Sequence, residues 1–250
     1  MLTVQTVRVG DTAGRADGSE DAALLALFRA IASRDQPEIW RLLDSSRGLS
    51  SRPIRIAATR ADPDTYFLAR IHHLTYGGDT PLHIAAAAYH LELAKALVAN
   101  GAAARARNRR GAEPLHYAAD GSPGSEHWDP AAQRGVIEYL IAAGADPNAL
   151  NNSGVAPLHR AVRKRCSSAV SALIENGANP RLMNKRGSTP LHLAVQSTGS
   201  SDSGTDAAKE QQRLIIDLLL QHGARPTDVD ANGKTVADAA SSDWIRQLLT

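Results

Sequence analysis

Four copies of one tripeptide, held in register along the chain, restrict the possible folds more than any other feature. They read Thr80-Pro81-Leu82-His83, Glu113-Pro114-Leu115-His116, Ala156-Pro157-Leu158-His159 and Thr189-Pro190-Leu191-His192, with prolines 33, 43 and 33 residues apart. A turn glycine precedes each copy (Gly78, Gly111, Gly154, Gly187), and Gly233 marks a degenerate fifth. A Gly-Ala pair follows each, at Gly101-Ala102, Gly144-Ala145, Gly177-Ala178 and Gly223-Ala224. Self-similarity at such a period indicates stacked units, none of which buries its apolar face alone.

Each unit reads as a short helix, a turn and a longer helix. Proline suits the first helical position, where its missing N–H would have no partner in any case. Thr80 and Thr189 can cap with their hydroxyls, whereas Ala156 cannot, so that helix start is expected to be weaker. Small residues (Ala85, Ala86, Ala118, Ala119, Ala161, Ala194) line the first helix and let neighbours approach closely. Larger apolar residues at helical spacing, such as Leu93, Leu97 and Val98, or Val136, Leu140 and Ile141, stripe the second. Glycine after that stripe supplies a left-handed stop. An aromatic content of only 4% fits thin alanine-rich and leucine-rich layers.

These residues resemble the ankyrin repeat, whose pattern is a turn with glycine, then T-P-L-H-x-A-A, then a second helix ending in G-A-D. The resemblance runs from about residue 77 to the C-terminus. It implies an all-α solenoid of stacked helix-turn-helix units with short hairpin-like loops, four full repeats plus N- and C-terminal capping units. The expected divisions are a flexible N-terminus over 1–19, a helical cap and irregular link over 20–76, and a C-terminal capping repeat over 232–250. Between them lie four repeats at about 77–109, 110–152, 153–185 and 186–231. Residues 20–44 read as two helices broken at 34–37, and residues 67–73 look helical. Two insertions, at about 120–133 and 197–210, fall at turns between the helices of a repeat. In the family that turn lies opposite the hairpins, so both loops are expected on one side.

Chemistry has few footholds. His83, His116, His159 and His192 recur once per unit, so stacking spaces them by about 10 Å, too far for one zinc with bonds of about 2 Å. The family uses this histidine in turn hydrogen bonds, and no metal or cofactor is expected. The sole cysteine, Cys166, excludes an internal disulfide and fits a reducing compartment. Basic neighbours at 163–165 could activate its thiol, but no general base is placed beside it. No phosphate-cradling glycine loop is present. The N-terminal stretch lacks the apolar core of a secretory signal, and no run reaches the roughly 18 apolar residues of a membrane span. A cytoplasmic, non-enzymatic protein with no membrane association is expected. The alternative is an enzyme, such as a hydrolase, whose site is built from the two insertions with Cys166 or the insertion histidine His127, which has Glu126 and Asp129 as acidic neighbours.

The resemblance also implies a binding face, made of hairpin tips and the exposed positions of the first helices. By register this face carries Arg109, Arg110, Tyr117, Arg160, Arg163, Lys164, Lys185, Arg186 and Leu193. Seven of these are basic and Asp120 is the one acidic residue beside them, in a chain of net charge only +2. The reading is a protein–protein interaction module whose concave face binds an acidic protein, anchored by Tyr117 and Leu193. The absence of a recognition helix or stacking platform argues against nucleic acid.

Overall fold

The computed structural model describes residues 11–46, 48–58, 62–123, 125, 128–197 and 205–250, with side chains from residue 20 onward. Twelve α-helices among them form six consecutive pairs. These are α1 (Asp11–Ser33) and α2 (Gln36–Ser45), α3 (Pro81–Ala87) and α4 (Leu91–Ala99), and α5 (Pro114–Ala118) and α6 (Pro130–Ala142). The rest are α7 (Pro157–Arg163) and α8 (Ser167–Glu175), α9 (Pro190–Ala194) and α10 (Asp206–Gln221), and α11 (Val236–Ala239) and α12 (Asp243–Leu248). Odd-numbered helices pack on one another from α1 to α11 and form an inner layer; α4, α6, α8, α10 and α12 form an outer one. The fold is an all-α helical-repeat solenoid.

Two expectations about the N-terminal third need correction. Helix α1 begins at Asp11, so residues 11–19 are helical where loose chain was expected. The helix is fixed downstream by buried Leu24, Leu27 and Ile31. Residues 1–10 lie outside the described residues, as do Gly124, Glu126, His127 and residues 198–204 of the two insertions. Residues 67–73 are not an α-helix; Ala69–Ile71 form only a single 3-10 turn. The segment forms a small antiparallel hairpin, β1 (Phe67–Leu68) with β2 (His73–Leu74), in which Phe67 pairs with Leu74 and Leu68 with His73. His72 sits in the left-handed region at φ 47°, which a continuous helix cannot accommodate.

The recurring histidine locks each unit to the next. The Nδ1 atoms of His83, His116, His159 and His192 accept the backbone N–H of Thr80, Glu113, Ala156 and Thr189 at 3.1–3.2 Å. Their Nε2 atoms meet the carbonyls of Ala112, Val155, Ser188 and Lys234 in the following unit, at 3.0–3.2 Å. An amide N–H can only donate and a carbonyl can only accept. Each ring is therefore a neutral imidazole with its proton on Nε2. Ala156 lacks the hydroxyl that Thr80 and Thr189 turn toward this ring, yet its N–H makes the same bond.

Between the repeats, close approach is set by what is missing. A Cβ at Gly78, whose φ is 89°, would lie 2.8 Å from the Cα of Asn108 in the next hairpin. Leu82, Leu115, Leu158 and Leu191 are fully buried between inner and outer layers, with Val136, Ile137, Leu140, Val170, Leu173, Ile215 and Leu219.

The insertions preserve the same local bonding by different atoms. In the uninterrupted units the fifth residue of the inner helix, Ala85 or Ala161, gives its carbonyl to the turn N–H of His90 (2.9 Å) or Cys166 (3.1 Å). In the interrupted units the long loop carries that N–H away. Buried Gln133 and Gln212 of the outer helices supply amide hydrogens to the matching carbonyls of Ala118 (2.9 Å) and Ala194 (2.6 Å). A buried carbonyl without a donor costs about 1–3 kcal/mol.

Two outcomes follow from these bonds. Gln133→Leu should lower stability by about 1–3 kcal/mol in a urea melt, because it strands the Ala118 carbonyl; an unchanged midpoint would refute the replacement role. Acid should also destabilise the fold. Burial lowers the pKa of His83 and His159, and lowers those of His116 and His73 to about 4. These groups titrate near 6.5 when unfolded, so between those values the unfolded chain binds more protons and stability falls as pH falls. Each fully shifted ring accounts for about 3 kcal/mol between pH 7 and pH 4. Urea midpoints at pH 7.5 and 5.0 test this, and His116→Gln should flatten the slope.

Candidate functional site

The inner face is organised around one buried carboxylate. Asp79 is fully buried and accepts from the backbone N–H of Tyr76 (2.7 Å), the Asn108 amide (2.8 Å) and the Tyr117 hydroxyl (3.0 Å). Asn108 Oδ1 in turn accepts the N–H groups of Arg110 (2.9 Å) and Ala112 (3.0 Å), shaping the hairpin tip that carries Arg109 and Arg110. Asn151, Asn184 and Asp230 make the same pair of bonds in the next three hairpins. Sequence reading passed over this residue, although an Asn or Asp three places before Gly111, Gly154, Gly187 and Gly233 is visible in the repeat.

Tyr117 is consequently not the exposed anchor expected of it. It is only 2% exposed. Its hydroxyl is spent on Asp79, and the His73 ring of β2 stands edge-on to it at 4.2 Å between centroids. Burial and the nearby Asp79 charge push its pKa well above the ordinary tyrosine value. The bulky ring at this position and the hairpin folded back over it explain the burial. Leu193, the other expected anchor, is half-buried against the core.

The seven cations divide by what they already hold. Arg160 is a bidentate partner of Asp120, through Nε (3.0 Å) and Nη2, and lies 5.4 Å above the Tyr117 ring. Its charge is largely answered. Arg109 donates to the Ala58 carbonyl (2.9 Å), and Lys185 Nζ to that of Asn152 (2.5 Å). Arg110 is stacked on the Tyr76 ring at 4.4 Å, and Arg109 reaches the same ring at 5.6 Å. Arg110, Arg163, Lys164 and Arg186 are exposed, and no carboxylate among the described residues lies within 4 Å of them. Tyr76, absent from the sequence-derived set, positions the arginine pair; nothing in the link's irregular sequence marks it.

Arg109, Arg110, Arg160 and Arg163 line one groove of about 450 Å³ together with Tyr76, Tyr117 and Asn152. No acidic side chain lines it. Lys164, Lys185, Arg186 and Leu193 lie outside it on the continuing face.

Of the residues proposed for an enzymatic alternative, the described ones, Cys166 and Asp129, are already engaged. Cys166 is fully buried, and burial pushes its thiol up to about 12. Gly121 covers it so closely that a Cβ there would collide with Sγ. Asp129 is engaged as the cap of α6, accepting from Ala131 and Ala132. Glu126 and His127 lie outside the described residues. Among the described residues no cluster of three His, Cys, Asp or Glu is placed to hold a metal, and no helix is long and apolar enough to cross a membrane.

Comparison with known families accords with this architecture. A family model described as ankyrin repeats, in three copies, matches residues 27–126 and 130–203. A second, described as ankyrin repeat, matches residues 186–233. The first match takes in α2, which carries none of the Pro-Leu-His signature. No curated protein matches significantly.

The thiol gives the site its direct test. Iodoacetamide at pH 8 should label native Cys166 at least about a hundredfold more slowly than the urea-unfolded chain, because only an accessible thiolate reacts. Equal rates would restore it as a reactive group.

Proposed function

Because the chain belongs to the ankyrin-repeat family, whose repeats are protein–protein interaction modules, we propose that it is a non-catalytic module binding an acidic protein through its inner-helix and hairpin face. The observation carrying this reading is the run of cations left without anionic partners. Arg110, Arg163, Lys164 and Arg186 face solvent across successive units, whereas Arg160 on the same face and Arg134, Arg181 and Arg246 elsewhere are paired with carboxylates.

Charge of this kind governs encounter and orientation. Complementary potentials raise the rate of association and suppress partners of the wrong sign. Exposed ion pairs are individually weak, so tight binding needs several at once. A rigid inner face supplies that, since stacking fixes the spacing between units before a partner arrives. Tyr76 serves to position the arginine pair over its ring, and Tyr117 is buried rather than a contact.

The test is capture from a lysate of the source organism on immobilised chain, beside the variant Arg110→Ser/Arg163→Ser/Lys164→Ser/Arg186→Ser. These four residues make no described side-chain hydrogen bond or ion pair, so the variant should match the native melting temperature. The reading expects an acidic protein retained by the native chain, released by raising salt from about 0.05 to 0.5 M, and lost by the variant. Retention by both would move the interface to the outer helices or the insertions.

A further inference from the structure

We propose that the arginine groove between Tyr76 and Asn152 is a phosphate pocket that takes a phosphorylated side chain of the protein partner. The inference rests on the inner-face reading above and names the chemistry at its centre.

Three features single out this groove from the rest of the basic face. Its cations are all arginines, while Lys164 and Lys185 lie outside it. A guanidinium presents a planar fork of N–H donors, which grips phosphate or carboxylate in two parallel bonds; an ammonium offers only a point charge. Second, the fork of Arg110 is held before any ligand arrives. Its Cζ lies 4.4 Å over the centroid of the Tyr76 ring, which restrains it, and Asn108 Oδ1 accepts the Arg110 backbone N–H and so holds the hairpin tip that carries it. The donor edge of Arg110 and that of Arg163 have no acceptor among the described residues. Third, no carboxylate lines the groove, and the nearby Asp120 is engaged bidentately by Arg160, leaving Arg110 and Arg163 unopposed.

Charge decides between the oxyanions that fit an arginine fork. One carboxylate carries a single charge and two oxygens, which a single guanidinium satisfies. A phosphomonoester carries about −1.5 to −2 at pH 7 and three acceptor oxygens, matching two unopposed guanidiniums. A volume of about 450 Å³ leaves room for the side chain that bears it. A nucleic-acid strand fits less well. It would need an open aromatic face for a base to stack on, but Tyr76 lies against Arg109 and Arg110, and Tyr117 is buried.

Amide and arginine side-chain NMR of the full ¹⁵N-labelled chain tests the pocket directly. The probes are one pentapeptide with a central phosphoserine, its Glu and Ser counterparts, inorganic phosphate and a ten-residue oligothymidylate. The expected result is saturable shifts at Arg110, Arg163 and Asn152, with Kd for the phosphopeptide about tenfold or more below that for the Glu peptide. Arg110→Lys, which keeps the charge but loses the fork, should weaken binding about tenfold, and Arg213→Ser on the outer helix α10 should leave it unchanged. Equal affinity for the Glu peptide would overturn the phosphate assignment, as would tighter binding of the oligonucleotide. Saturation by inorganic phosphate with no response to the phosphopeptide would reduce the site to an adventitious ion only. No shifts with any probe would overturn the pocket itself. If the pocket fails while the four-serine variant still loses its captured partner, the inner-face reading stands without it. If the pocket binds and the variant keeps its partner, that reading fails instead.

Discussion

The neutral histidine ring between units is the interaction on which the solenoid depends. One nitrogen closes the start of its own helix, and the other reaches the backbone of the next unit. A side chain that could only donate, or only accept, would satisfy one of these groups and strand the other. Lysine and arginine lack an acceptor, and a carboxylate lacks a donor. Imidazole carries both functions on one rigid ring, at the separation needed to span two units. The same requirement explains the burial that lowers the pKa of His83, His116 and His159. A protonated ring would lose the acceptor that the helix start needs.

Once that lock is in place, the remaining variation is confined to positions that do not break it. Both insertions leave after the C-terminal end of an inner helix and spare the histidine bonds at its start. They nonetheless displace a turn N–H, and Gln133 and Gln212 restore the bond from the neighbouring helix. Two unrelated loop sequences meeting one demand with the same residue type suggests a general rule for this fold. Loop length is free, but the carbonyl at the fifth position of the inner helix must find a donor.

Much of this was legible in the sequence because it repeats. The Pro-Leu-His register gave the helix starts, the Gly-Ala pairs gave the stops, and the altered spacing placed the insertions. What escaped was contributed by segments outside the period. Tyr117 occupies an exposed position by register, and its burial follows from His73, in a link with no repeating pattern to predict its path. That link was read as helical at 67–73, since a helix and a hairpin of so few residues share the same apolar spacing; His72 in the left-handed region decides between them. The pairing of Arg160 with Asp120 was hidden for a similar reason, as the two sit 40 residues apart in sequence.

The irregular link therefore does more than join a cap to a stack. Its last residues bring Tyr76 beside the first hairpin tip and tie its backbone to Asp79, whose carboxylate also holds Asn108 and Tyr117. Three segments of chain thus converge on one buried charge, and the arginines on the second hairpin acquire an aromatic surface to stack on. A repeat array by itself presents equivalent positions along its length, and an evenly charged face has no preferred point of attachment. Folding a non-repeating segment against one unit removes that equivalence. It makes the junction of Tyr76, Arg110 and Arg163 unlike any other place on the face, which is the physical condition for a partner to bind in one register rather than sliding among several.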